Sequence, residues 1–300
     1  MSSTNFDPAV AVDLPDVLPA RKQRGKVAMV AYRHPSIFAG GLLVALVVAS
    51  AVFAPWLGTT DPTALAPAKR LRFPSEIYWF GTDMLGRDIY SRVLYGTRVS
   101  LQVGVMVALF ASIVGMFIGL TSGFIRVLDT VVMRVMDGLM SIPGILLAIA
   151  LMALTRGSVG NVIIAITITE IPRVARLVRG VVLSLREQPY VEAAVAAGTR
   201  VPKIIWKHIL PNTLAPITVQ ATFICASAMI TEATLSFIGA GTPPTIPSWG
   251  NIMAEGRALW QVKPFIVLFP AVFLSVTVLS INLLGDGLRD ALDPRMAKKI

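Results

Sequence analysis

Residues 190–212 read YVEAAVAAGTRVPKIIWKHILPN. This stretch is polar and basic, and it separates two hydrophobic segments. Pro189, just ahead of it, suits the first turn of a helix, where its missing N–H costs nothing. Gly198 suits a left-handed residue closing that helix. Between them, Glu192 is followed by a small apolar run, Ala193, Ala194, Val195, Ala196 and Ala197. At 1.5 Å per residue such a helix is only about 13 Å long. So short a helix is marginal in water and needs a surface to pack on. Pro202 restarts the chain as a second short helix carrying Ile204, Ile205, Trp206 and Ile209, and Leu210-Pro211 is expected to stop it. The pattern predicts a helix–turn–helix elbow with a smooth apolar face and a basic rim. Two readings stay open: a plain loop between membrane spans, or a knob that docks on another subunit.

The chain around this elbow is strongly apolar. Of its 300 residues, 55% are hydrophobic and 15% charged, and the mean hydropathy is positive. A soluble domain carries about 25% charged residues, so the composition predicts an all-α integral membrane protein. No alternating strand pattern suggests an outer-membrane barrel. The single Cys225 lies in an apolar stretch, which excludes an intramolecular disulfide and a thiolate metal cluster. The formal charge of +10 is spread over loops. That suits membrane topology better than nucleic-acid binding. No cleavable signal peptide is expected. The first apolar run starts near Ile37, behind a polar tail too long for a usual n-region, and no small-residue cleavage site follows.

Six runs are long enough to cross the roughly 30 Å hydrocarbon layer as helices: residues 37–57, 101–125, 135–154, 161–182, 213–238 and 264–284. Before the first lies a tail, residues 1–36, that is Pro-containing and then basic (Arg21, Lys22, Arg24, Lys26, Arg33). The loop after the first span contains FGTDMLGRDIYSRVLYGTRVSL at residues 80–101. There Asp83 and Arg87, and Asp88 and Arg92, stand four apart and are expected to pair locally on a solvated helix. In the second span Gly115, Gly119 and Gly123 recur every fourth residue, a bare stripe for close helix packing. Pro143 is expected to kink the third span. Arg173, Arg176, Arg179 and Arg186 form a basic ladder at the end of the fourth, the first three near one helix face.

Placing the N-terminus inside puts eighteen of the 27 lysines and arginines in inner segments and nine in outer ones. The positive-inside rule therefore favours both termini and the elbow in the cytoplasm.

Catalytic signatures are missing from the sequence. No G-x-x-x-x-G-K-[ST] phosphate loop occurs, since Gly25-Lys26 is followed by Val27. The two histidines, His34 and His208, are not paired at a metal spacing, and there is no G-x-S-x-G elbow. Three carboxylates fall within or beside spans. Asp137 reads as a first-turn residue, where a helix N-terminus favours negative charge. Glu170 is placed for a local ion pair with Arg173. Glu232, flanked by Thr231, Thr234 and Ser236, is either a lining residue of a substrate pathway or a buried hydrogen-bonded carboxylate.

Glu192-Ala193-Ala194, then Gly198, then Leu210-Pro211 resembles the EAA loop of ABC-importer permeases. His208 stands where the general pattern has Ile, as it often does in the dipeptide/oligopeptide branch. The strings at residues 80–101, 243–257 (PPTIPSWGNIMAEGR) and 285–300 (GDGLRDALDPRMAKKI) resemble the same branch, in the permease type with the longer N-terminal tail. The resemblance implies a six-span permease domain at residues 37–284, with its coupling-helix (EAA) loop at 187–212. Cytoplasmic tails at 1–36 and 285–300 flank it, in the bacterial inner membrane.

It further implies that Glu192, Ala193, Ala194, Ala197, Gly198, His208, Leu210 and Pro211 dock an ATPase subunit. Separately from the resemblance, the position of Glu232, Glu170 and Thr231 within spans makes them the candidates for a substrate pathway. The implied partners are a second permease subunit, two ATP-binding cassette subunits, an extracytoplasmic substrate-binding protein and membrane lipid, with no nucleic acid. ATP and Mg would be handled by those partners, and no cofactor or metal by this chain. The implied cargo is di- or oligopeptide. Nickel chelates or glutathione carried by the same machinery, or a stand-alone proton-coupled transporter using Glu170 or Glu232, are the alternatives.

Overall fold

The structure is a computed structural model that describes residues 35–292. The basic N-terminal tail and the last basic residues, Arg295, Lys298 and Lys299, lie outside the described residues. Within them the fold is all-helical: α1 (Pro35–Val52), α2 (Ile89–Phe124), α3 (Arg126–Ser141), α4 (Gly144–Ala153), α5 (Val159–Arg186), α6 (Pro189–Ala196), α7 (Val201–Phe237), α8 (Trp249–Gly256) and α9 (Phe265–Leu292). Four of these, α1, α2, α7 and α9, are long and apolar enough to cross a membrane, and α3 with α4 makes a fifth if that pair is one broken span. α5 has 28 residues but carries Glu170 and four arginines, and it falls outside that set.

Helix α2 starts twelve residues before the span expected at residue 101. The polar residues that read as loop are satisfied in place. Asp88 caps the helix, accepting from the Ser91 amide at 2.9 Å. Arg98 reaches across to the end of α1, donating from Nε to the Ala51 carbonyl at 2.7 Å. That carbonyl has no helical partner of its own.

The glycine stripe packs as its spacing predicts. Cβ atoms added at Gly115, Gly119 and Gly123 would lie 2.5, 2.6 and 2.7 Å from the Cβ atoms of Val174, Val178 and Val182 on α5. Both sets climb by four, so α2 and α5 run parallel. Helix α1 lies antiparallel to α9: Gly40 meets the backbone of Ser280 and Leu284, and Gly287 meets Ile37.

The third span is not one kinked helix. α3 and α4 are separate and bent by 90°. Ile142 is extended (φ −90°, ψ 129°) ahead of Pro143, the conformation that proline imposes on its predecessor. Asp137 is therefore not a first-turn residue. It sits in the second half of α3 and pairs with Arg176 on α5 at 2.5 Å. Asp129, in the first turn of α3, takes Arg179 through two bonds, at 2.5 and 2.7 Å. Two rungs of the arginine ladder, Arg176 and Arg179, thus meet carboxylates of α3, while Arg173 pairs with Glu170 on its own helix and Arg186 reaches the Gly123 carbonyl.

Leu210-Pro211 does not stop a helix either. The chain passes from residue 201 to 237 as one helix of 37 residues through a wide turn at Ile205–Ile209. Pro211 has no N–H to give, and the wider turn absorbs the loss. The Leu210 amide bonds the Ile205 carbonyl, and Asn212 Nδ2 takes the His208 carbonyl at 2.7 Å.

Two ends of the bundle follow from these contacts. The start of α1, the end of α9 and the elbow share one end, where Pro211, Asn212, Arg289 and Leu292 line a common groove. The starts of α2 and α9, residues 58–88 and α8 share the other.

Candidate functional site

Helix α6 forms as its sequence dictates. Pro189 occupies the first turn, and the helix closes on Gly198 at φ +75°. The Thr199 amide bonds the Ala194 carbonyl at 3.0 Å and the Gly198 amide bonds Val195 at 2.9 Å. This pair of bonds is a Schellman closure, which needs a left-handed residue between its strands. Only Val191 is fully buried, holding α6 to the bundle. Glu192, Ala193, Ala197 and Gly198 face outward, and Ala194 leans on the core. Glu192 makes no ion pair with any described residue. His208 is half-buried beside Tyr190, with ring centroids 6.2 Å apart. Leu210 is half-buried and Pro211 exposed.

Of the eight expected docking residues the elbow thus leaves Glu192, Ala193, Ala197, Gly198 and Pro211 exposed. It also presents Trp206, which is 74% exposed, with Val195, Tyr190 and Val201. Trp206 and the residues around it form apolar surface that no described residue covers. The apolar run of the second short helix contained it, but spacing alone did not separate it from Ile204 and Ile209, which are buried.

The three pathway candidates are not brought together around a cavity. Thr231 bonds the Ser227 carbonyl of its own helix at 2.9 Å. Glu170 is buried and held by Arg173 at 3.1 Å, the local pair expected. Glu232 is 0% exposed. Its Oε1 accepts from Ser236 Oγ at 2.9 Å and from Thr242 Oγ1 at 3.4 Å, while Oε2 is buried without a partner among the described residues. Thr242 is held in turn by Asn251 Nδ2 at 2.9 Å, which binds residues 239–248 to α8. The two most spacious of the openings found lie at opposite ends of the bundle. One, of about 650 Å³, lies at the elbow end between α5, α7 and α9. The other, about 300 Å³, lies at the opposite end between α4 and the turn after α7. None of the three candidates lines either.

A second polar constellation escaped sequence reasoning. Asp83 and Arg87 do form the expected i,i+4 pair, at 2.7 Å, but in a tight turn rather than on a solvated helix, and both are buried. Asp88 and Arg92 do not pair. Arg92, 1% exposed, instead bridges Asp83 Oδ2 and Glu255 Oε2, each at 2.5 Å, and Arg87 bridges the same two carboxylates at 2.7 and 2.6 Å. Glu255 comes from α8, more than 160 residues away in sequence, and no spacing rule connects it. Among the described residues, no group of three His, Cys, Asp or Glu side chains could hold a metal ion.

Comparison with known proteins gives one family match. Residues 111–298 fit the family described as "Binding-protein-dependent transport system inner membrane component". The chain is 51% identical, over 93% of its length and 96% of the relative's, to a probable peptide ABC transporter permease of Sinorhizobium fredii. It is 43% identical, over 86% and 85%, to a dipeptide transport system permease of Alkalihalophilus pseudofirmus. It is 44% identical, over 88% of each, to a glutathione transport system permease of Salmonella typhimurium.

Proposed function

The chain belongs to the family of binding-protein-dependent transport inner membrane components, and from that premise we propose how it works. It is a membrane permease of an ABC transporter, and not an enzyme in its own right. We read its cargo as di- or oligopeptides, since peptide permeases are among its most similar relatives. ATP is hydrolysed by two cassette subunits, a second permease completes the channel, and an extracytoplasmic binding protein delivers cargo.

The body spans the inner membrane six times between residues 37 and 284, with tails 1–36 and 285–300 in the cytoplasm. The parallel run of α2 and α5 supports this count, because the chain between them must cross back, and only α3 and α4 lie there. α5 is then a crossing, and two of its four arginines, Arg176 and Arg179, pair with α3. The bias of basic residues supports the elbow on the cytoplasmic side.

One observation carries the mechanism. The free face of α6 joins, through a Schellman turn, a single 37-residue helix that runs about 55 Å to the far end of the bundle. Glu192, Ala193, Ala194, Ala197, Gly198, His208, Leu210 and Pro211 seat the elbow in the ATPase subunit. Closure of the ATPase pair pushes α6, and α7 carries the displacement across the membrane as alternating access. Gly198→Val strains a left-handed position and tests this reading. In the reconstituted complex it should lower both ATPase binding and peptide uptake; unchanged values for both would end the docking role. Accumulation of solute against a gradient by this polypeptide alone would end the ABC reading.

Glu232, Glu170 and Thr231 enter the same reading as pathway residues of another conformational state. Altered uptake by Glu232→Gln at normal assembly tests that role, and wild-type kinetics across several peptides would remove it. Glutathione is the alternative cargo, kept open by the glutathione permeases that follow the peptide permeases among the relatives. The ligand that co-purifies with the cognate binding protein decides between them.

A further inference from the structure

The two arginines and two carboxylates at the end opposite the elbow form a charge-balanced cluster. Asp83 is the hub. Its Oδ1 accepts from the amides of Leu85 and Arg87 at 2.8 and 2.9 Å, and its Oδ2 takes both guanidinium groups. Glu255 closes the ring from α8, accepting from Arg87 Nη2 at 2.6 Å and from Arg92 Nη1 and Nη2 at 2.5 and 3.0 Å. Three parts of the chain meet here: the turn after residue 80, the first turns of α2, and α8.

Each of these is fastened again nearby. Trp249 Nε1, on a fully buried ring, donates to the Val93 carbonyl of α2 at 3.1 Å. A Cβ at Gly250 would lie 2.7 Å from the Ala233 backbone of α7, and one at Gly256 would lie 2.8 Å from the side chains of Ile266 and Val267 on α9. α8 is therefore a keystone seated on α2, α7 and α9 at once. Buried charge clusters are weak evidence for stability, because an apolar set of similar volume does as well. Removing one member, however, leaves an uncompensated buried charge.

We propose that Asp83, Arg87, Arg92 and Glu255 are positioning residues for transport: a permanently closed clamp that makes the far ends of α2, α7 and α8 one rigid block. This rests on the transport reading above. Displacement delivered to α7 at the elbow then reaches α2 through α8 without slack. The cluster stays shut throughout the cycle and is not a gate, since opening it would strip two buried guanidinium groups of their counter-charges.

The test uses the whole complex in lipid, with binding protein and a peptide, and has two arms. Backbone hydrogen exchange in α8 reads the clamp whether or not cargo moves. Peptide taken up per ATP hydrolysed reads its consequence. Glu255→Gln leaves a net buried positive charge and should speed exchange in α8 about tenfold and lower uptake per ATP about tenfold, with ATP turnover retained. Glu255→Gln combined with Arg87→Gln restores the balance and should recover most of both losses. If Glu255→Gln does not assemble, Glu255→Asp takes its place. It keeps the charge but is one methylene too short to bridge both arginines, and should give smaller losses of the same kind. Unchanged exchange in α8, or a double variant as impaired as the single one, overturns the clamp. A wild-type complex in which peptide fails to stimulate ATP turnover counts against the transport reading instead, and the exchange arm still decides the clamp.

Discussion

Replacing Gly119 by alanine tests the packing that sets the bundle's geometry. The added methyl would lie 2.6 Å from the Ala175 carbonyl oxygen and 2.6 Å from the Val178 Cβ. Neither atom moves when a side chain rotates, so relief requires α2 and α5 to part. Ordinary contact begins near 3.4 Å, which asks for about 0.8 Å of separation. Gly115 and Gly123 share the same register, so the whole stripe loosens with it. A gap of that size forfeits roughly a quarter to a half of the dispersion attraction along the seam. Overpacking of this kind costs about 1–3 kcal/mol, and about 2 kcal/mol is expected here. Gly180 is the control. It lies inside α5 with nothing within 4 Å of an added Cβ, so alanine should stabilise by about 0.5–1 kcal/mol through helix propensity. Thermal unfolding of the assembled complex should therefore move in opposite directions for the two variants. A Gly119→Ala melt at or above that of wild type would refute the close seam.

Four further variants have expected outcomes. Trp206→Ala should leave the fold intact, because the ring is 74% exposed, yet weaken ATPase-subunit binding about tenfold in a titration, as loss of an interface anchor does. Asp129→Asn should destabilise by about 1–2 kcal/mol in chemical denaturation, since it frees a two-point arginine pair that is mostly covered. Asp137→Asn should cost less than about 0.5 kcal/mol, because both side chains of its pair are more than half exposed. Equal effects would invalidate the ranking. Gly86→Ala should remove the protein from the membrane fraction. Its φ is +78°, and an added Cβ would fall 1.9 Å from the Ala66 carbonyl oxygen, which exceeds about 3 kcal/mol of strain and forces the turn apart.

The elbow was legible because its signals are local. A proline at the first helical turn, a small-residue run and a glycine at the left-handed cap all act within ten residues, and each appears where expected. The glycine stripe was legible for the same reason, since period four on one helix names its own packing face. Long-range partners were not. Arg92 reads as half of an i,i+4 pair with Asp88, but Asp88 gives its oxygen to the Ser91 amide, and Arg92 turns to Asp83 and Glu255. Capping an open helix N-terminus competes directly with a surface ion pair and wins, because the amide has no other partner. Pro143 and Pro211 carry the same lesson in opposite senses. After an extended Ile142, Pro143 divides one expected span into two helices, whereas a wide turn lets the chain run helically through Pro211.

The placement of charge along α5 explains why the break in the third span is tolerable. α4 has ten residues, about 15 Å, too short to cross the hydrocarbon layer alone. α3 carries Arg126, Asp129, Arg134 and Asp137, too many charges for a lipid-facing span. Neither helix would be stable in a bilayer by itself. α5 resolves both problems at once. Its arginines meet Asp129 and Asp137 of α3, and its glycine-matched valines fix it against α2. Arg179 holds Asp129 through two bonds, whereas Arg176 holds Asp137 through a pair more than half exposed, so the first tie is the stronger. The tie that orients α3 against α5 is therefore mainly the Asp129–Arg179 pair. Arg179→Gln should therefore speed hydrogen exchange in α3 more than Arg176→Gln does, and equal exchange in the two variants would refute this ranking.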